Sequence, residues 1–292
     1  MASFGTVTVV GVGLIGGSIG LALRSRSLAK RVIGVGRSES SLAEARRLGA
    51  IDAYTTVLAE GTSDAEIVVV CTPVDQVATF VVKAAESGSP RLLVTDAAST
   101  KRTIVEEVER HAPARTAYVG AHPIAGSERQ GAAFADALLF EGRACVLTPT
   151  RQTPEDRLAR ARSFWSSIGC RILETSPAEH DQTLAMTSHL PHAVSAALAR
   201  VVPPEALAMA AGAYRDGTRV AGADANLWAA IFLENRDPLL RALDRFASEI
   251  HAFRTALEAH DGDALIAWWQ DARARRSQFD PNPRPANPPV QD

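Results

Sequence analysis

Thr6-Val7-Thr8-Val9-Val10-Gly11-Val12-Gly13-Leu14-Ile15-Gly16, running on into Ser18-Ile19-Gly20-Leu21-Ala22-Leu23, decides the fold. Every residue from Thr6 to Val10 is β-branched, the mark of a strand buried on both faces of a parallel sheet. Gly11, Gly13 and Gly16 fit G-x-G-x-x-G, and the residues after them predict a helix. In such a turn the first glycine permits the tight bend and the second lets the backbone approach a pyrophosphate. The third lets helix and strand pack closely. Free N–H groups at the helix start then face the phosphates. Three spaced glycines alone are an ordinary turn. A strand before and a helix after make them a dinucleotide site, cradled by Gly11, Gly13, Leu14, Ile15 and Gly16.

The next strand, Arg31 to Gly36, should end on the residue that reads the adenosine ribose. An NAD site usually carries Asp or Glu there; this chain has Gly36, Arg37 and Ser38. No carboxylate at those positions repels a 2′-phosphate, and Arg37 can pair with one. Read alone, Arg37 is a solvated loop arginine. The expected cofactor is NADP or NAD, with NADP favoured.

The α/β alternation continues outward. Glu66 to Cys71 predicts a third strand, stopped by Thr72-Pro73, and Arg91 to Asp96 a fourth, followed by Ala97-Ala98-Ser99-Thr100-Lys101. A fifth, Thr116 to Gly120, delivers His122. Ala144 to Thr148 and Cys170 to Leu173 predict further strands, separated by a helix from about Pro154 to Ile168. The sum is a doubly wound parallel sheet, a Rossmann-type α/β domain over 1–176. Ligands bind such sheets beyond the carboxyl ends of the strands. Cys71, Thr72, Pro73, Ser99 and His122 should therefore share one crevice.

From Pro177 the texture turns helical, so 177–279 reads as an all-α domain with the wide apolar surface of a homodimer. Asp237-Pro238 signals a helix start, and Leu239, Leu243, Phe246, Ile250, Phe253 and Leu257 follow at helical spacing. Trp268 and Trp269 read as packing residues. The segment 280–292, with five prolines, is expected to be disordered.

Composition narrows the class. The chain has 292 residues, 46% hydrophobic and 22% charged, with a net charge of −2, which gives no general attraction to nucleic acid or acidic membrane. Cys71, Cys145 and Cys170 have no metal-ligand spacing and read as reduced thiols of a cytoplasmic protein. No charge occurs between Met1 and Leu23, but the absence of a basic n-region and five glycines from Gly11 to Gly20 argue against a signal or a membrane helix.

Five blocks carry a resemblance: Gly11 to Ser18 (GVGLIGGS), Thr95 to Lys101 (TDAASTK), His122 to Glu128 (HPIAGSE), Thr187 to His192 (TSHLPH) and Tyr214 to Trp228 (YRDGTRVAGADANLW). In this order they resemble the prephenate/arogenate dehydrogenase family of tyrosine biosynthesis, over residues 6 to about 240. The resemblance implies a Rossmann domain with a helical dimerisation domain. It also implies oxidative decarboxylation of a cyclohexadienol: hydride leaves C4 for the nicotinamide, the C4 hydroxyl loses its proton, CO2 departs and the ring becomes aromatic. His122 is then the base and Ser99 a bridge between histidine, substrate hydroxyl and nicotinamide; read alone, Ser99 is a helix N-cap. Arg219 is implied to bind a substrate carboxylate and His189 to lie near the substrate side chain, while His192 reads as structural. Glu128 is implied to gate the pocket, Asp216 to steady the region near Arg219, and Trp228 to reach a site across the dimer.

Two departures stand out. Gly36-Arg37 replaces the usual acid, and the short stretch after the last helix leaves no room for a fused chorismate mutase. Arogenate or a 4-amino-4-deoxy analogue are alternative substrates. An NADPH-sensing protein without turnover is the alternative of another class, but it would need neither His122 nor Arg219.

Overall fold

A computed structural model describes residues 4–87, 89, 91–111, 117–126 and 129–279. Ser127, Glu128, Thr116 and the proline-rich segment lie outside the described residues.

Eight strands form one sheet: β1 (Phe4–Val10), β2 (Ala29–Val35), β3 (Ala53–Thr55), β4 (Ala65–Val70), β5 (Leu93–Asp96), β6 (Tyr118–Pro123), β7 (Ala144–Thr148) and β8 (Arg171–Glu174). Their order is β3-β2-β1-β4-β5-β6-β7-β8. From β1 the chain builds outward to β3, then crosses back to place β4 on the other side of β1. The topological switch point therefore falls between β1 and β4, at the mouth of the glycine turn. Val7 and Val9 join one core with Ile19, Leu23, Phe164 and Trp165. Val10 joins a second core with Val35, Val68 and Val81. The β-branched run is thus buried on both faces, as its composition predicts.

Three features differ from the sequence reading. The three-residue β3 was not anticipated, being too short for a periodicity to register. β7 runs antiparallel to β6, with Gly120 opposite Thr148 and Pro123 opposite Cys145, so the sheet is parallel-dominated rather than wholly parallel. And β6 extends through Pro123, so His122 sits within the strand, not past its end.

Helices cover the sheet: α1 (Leu14–Ser25), α2 (Glu39–Arg47), α3 (Leu58–Thr62), α4 (Val77–Ser87), α5 (Arg102–Val108) and α6 (Glu155–Ser167). Strands give way to helices at Pro177. There α7 (Pro177–Leu184) opens with a capping box, Ser176 and Glu179 satisfying each other's backbone N–H. A π-helical turn, Ala185–His189, joins it to α8 (Leu190–Val201). Then come α9 (Gly212–Thr218), a 3-10 turn at Arg219–Gly222, α10 (Ala225–Glu234), α11 (Arg236–Glu258) and α12 (Gly262–Ser277). Helix α11 starts one residue before Asp237, which lies in its first turn.

The chain divides into two compact units, Met1–Leu239 and Leu240–Asp292. In the second, Trp268 donates to Glu249 at 3.1 Å and packs on Phe253. Trp269 is 67% exposed, and Ile250, Leu257 and Ile266 are exposed as well. Trp269 meets Trp268 with ring centroids 6.3 Å apart. Among the described residues no helix is long and apolar enough to cross a membrane.

Candidate functional site

The glycine turn has the geometry its spacing predicts. Gly11 adopts φ +91°, and a Cβ there would stand 2.6 Å from the Cys71 carbonyl oxygen. At Gly16 a Cβ would meet the Gly11 carbonyl oxygen at 2.1 Å. Neither position admits a side chain without moving backbone. Gly13, by contrast, faces open space. It occupies the cap position of α1, where no side chain bonds the first N–H groups and no acid lies in the first turn. Those donors, with Leu14 and Ile15, suit a pyrophosphate. Thr72, just past β4, carries a buried hydroxyl without a hydrogen-bond partner among the described residues, as a cofactor contact would. Pro73 begins the exit from the strand. Burial, reinforced by Asp96, pushes the Cys71 thiol pKa up, so Cys71 lines this crevice as an inert wall; all three cysteines are free.

At the far end of the cradle, Gly36 is half-buried and Arg37 and Ser38 are exposed. Ser38 caps α2, accepting the Ser41 N–H at 3.3 Å. Its hydroxyl also lies 2.9 Å from that of Ser40 and 3.0 Å from that of Ser41. One cation and a cluster of hydroxyls therefore stand where an NAD site would carry its acid.

Asp96, the last residue of β5, is fully buried and organises the floor of the crevice. It pairs with the equally buried Lys101. It also accepts from Tyr118 Oη (2.8 Å), the Ala121 N–H (2.9 Å) and the Ala98 N–H (3.1 Å). A buried charge demands such saturation. These bonds fix the loop bearing Ser99 and the strand position just before His122. Ser99 is not a helix cap: Lys101 occupies that position without a side-chain cap. The N-terminus of α5 is satisfied instead from α7, where Asp181 accepts the Lys101 N–H (2.8 Å) and the Arg102 N–H (2.9 Å).

His122 is buried, with Nδ1 2.9 Å from His180 Nε2. His180 Nδ1 lies 2.7 Å from Asp181 Oδ1. The Asp181 carbonyl accepts from Asn235 Nδ2 (2.8 Å), which also donates to His189 Nδ1 (3.0 Å). His189 meets Trp228 edge-on at 6.0 Å, and His192 stacks on the same indole at 3.5 Å. Burial holds all four imidazoles below their ordinary pKa. His122 lies well below it, helped by His180, Lys101 and His189. His180 is lowered against the pull of Asp181, and His189 is lowered to about 4. His192 is lowered with a contribution from the Arg219 charge, which puts that exposed arginine within electrostatic reach. His122 is thus a neutral acceptor at working pH.

The structure brings part of the predicted site together. Thr72, Ser99 and His122 lie at or just past the C-terminal ends of neighbouring strands β4, β5 and β6, and an unbroken series of polar and ring contacts runs from His122 to Trp228 and His192. His189 is only 1% exposed and bonded to Asn235, whereas half-buried His192 bonds the Ser188 carbonyl at 2.8 Å and feels the Arg219 charge. Asp216 is exposed and pairs with Arg215, not Arg219. Glu128 lies outside the described residues. Trp228 stacks within its own chain. Sequence reasoning missed His180, Asp181 and Asn235. A Glu-His-Asp run opening a helix looks like an ordinary acidic first turn, and no spacing rule links it to His122. A cavity of about 610 Å³ lies at the opposite end of the sheet, beside Ala65 and Arg91, and holds none of these residues.

Comparison with known proteins adds the following. The family model described as "Prephenate dehydrogenase, nucleotide-binding domain" matches residues 19–174, and "Prephenate dehydrogenase, dimerization domain" matches residues 176–271. The prephenate dehydrogenase of Bacillus subtilis is 34% identical over 93% of this chain and 75% of its own length. The crystal structure of Aquifex aeolicus prephenate dehydrogenase with hydroxyphenyl propionate and NAD+ superposes with TM-score 0.89 at 30% identity, covering 95% of this chain and 99% of that one. Synechocystis arogenate dehydrogenase gives 0.81 at 31% identity, covering 94% and 100%.

The lowered imidazoles link stability to pH. Between about 6.5, the ordinary imidazole value, and about 4, the folded value of His189, the unfolded chain binds more protons, so stability declines as pH falls. Urea midpoints should drop from pH 7 to pH 5, and His189→Gln should flatten that slope. A midpoint that holds or rises on acidification contradicts the burial of neutral rings.

Proposed function

This chain belongs to the prephenate dehydrogenase family, and we propose that it converts prephenate to 4-hydroxyphenylpyruvate by NAD(P)-dependent oxidative decarboxylation. It is an oxidoreductase with a nucleotide-binding and a dimerisation region, which sets aside the non-catalytic sensor. We further propose a cytoplasmic homodimer with the nucleotide-binding part in 1–176 and helices in 177–279. The observation that carries the reading is the neutral, buried His122 near the C-terminal end of β6, at the same edge of the sheet as the glycine turn after β1, linked through His180, Asp181, Asn235 and His189 to Trp228 and His192.

Bound NAD(P) would supply the acceptor for the hydride leaving C4. His122 takes the proton of the C4 hydroxyl as that hydride departs, and Ser99 orients the same hydroxyl. The electron pair of the bond to the leaving carboxylate enters the ring, CO2 leaves, and the proton held on His122 returns to the oxygen to give the phenol. Aromatisation supplies the driving force, so the protein's work is placement and proton transfer. Arg219 holds a substrate carboxylate by a charge-assisted bond, and His192, stacked on Trp228, feels the Arg219 charge. NADP is the favoured cofactor, because Arg37 and the Ser38 hydroxyl cluster suit a 2′-phosphate. Arogenate is the second substrate to test, given the likeness to the Synechocystis enzyme.

Steady-state assays with prephenate, arogenate and the 4-amino-4-deoxy analogue, each with NAD and NADP, decide the substrate; no turnover with any of them ends the proposal. His122→Asn should lower turnover by about 10²–10⁴ with cofactor affinity unchanged; near-native turnover removes His122 as base. Arg219→Ala should mainly raise KM, by roughly 10- to 100-fold, the worth of a charge-assisted bond; a pure turnover defect would remove its binding role. Arg37→Ala should weaken NADP binding about 10-fold or more and leave NAD binding alone, read by fluorescence titration. Equal losses for both cofactors contradict the 2′-phosphate role.

A further inference from the structure

A buried imidazole with a depressed pKa is a neutral acceptor but a weak one, because the cation it becomes is poorly solvated. The residues around His122 supply a remedy. The Asp181 carboxylate has no proton to give, so His180 must donate to it through Nδ1–H across 2.7 Å. His180 Nε2 is then an acceptor, and across 2.9 Å it receives the Nδ1–H of His122. The lone pair of His122 is left on Nε2. The direction of every proton in this series follows from one carboxylate.

That carboxylate is itself held in place. Asp181 Oδ1 also accepts the Lys101 N–H (2.8 Å) and Oδ2 the Arg102 N–H (2.9 Å). The loop that carries Ser99 and the helix that carries the relay are therefore bolted at one side chain, 2% exposed. Asn235 fixes the backbone of the same residue through its carbonyl.

We propose that Asp181 is a positioning residue for the reaction: it sets the Nδ1–H tautomers of His180 and His122, and its charge stabilises the imidazolium formed when His122 Nε2 takes the substrate proton. The proposal rests on the reading of His122 as the base. No proton passes beyond His122; its Nδ1–H stays bonded to His180 throughout, and the proton on Nε2 returns to the product oxygen.

Asp181→Asn separates charge from shape. Three donors surround the side chain, two of them on Oδ1, so the amide oxygen keeps that side and the tautomers survive, while the charge and the bond from the Arg102 N–H to Oδ2 are lost. Turnover should fall about 10²-fold or more, with substrate KM and the cofactor dissociation constant within about threefold of the wild type. Native turnover, or a loss of cofactor binding in step with turnover, overturns the proposal. The wild-type enzyme provides a readout independent of the variant's folding and of any activity. Long-range ¹H–¹⁵N spectra should show His122 and His180 both protonated at Nδ1. An Nε2–H tautomer on His122 overturns it. Absence of turnover with every substrate, with those tautomers in place, would remove the base reading instead.

Discussion

A carboxylate buried at the end of a strand is the constraint on which this site depends. Asp96 has no access to water, and left unpaired it would cost several kcal/mol. It therefore collects the Lys101 ammonium, the Tyr118 hydroxyl and two backbone N–H groups. Burial and the nearby Asp96 charge hold the Tyr118 phenol above its usual pKa, so it serves as a donor. Satisfying one charge thus fixes the Ser99 loop and the register of β6 one residue before His122. Placement of the two residues proposed to act on the substrate follows from satisfying that charge.

Helix α7 is locked to this floor by a second buried carboxylate, Asp181, and leads into an irregular turn. In an α-helix, residues nine apart such as His180 and His189 lie on opposite faces. The π-helical turn Ala185–His189 absorbs about one extra residue and brings them to within roughly 80° of each other. Asn235 can then donate both to the Asp181 carbonyl and to His189. The matched family regions meet at residues 174 and 176, so Asp181, in the second, bonds backbone belonging to the first.

Much was legible in the chain itself. The β-branched run and glycine spacing determined the strand-turn-helix, because at Gly11 and Gly16 backbone conformation and close approach admit no side chain. The family blocks located His122, Ser99 and Trp228. The antiparallel β7 escaped notice, since an apolar run reads alike in either direction. Three-dimensional packing alone decided which histidine faces outward and which is spent on Asn235, and it alone joined His122 to His180 and Asp181, fifty-eight residues away. Local sequence reports what a backbone can do. It is silent on which distant side chain will satisfy a buried proton, because that depends on where the sheet and the π turn bring the chain back.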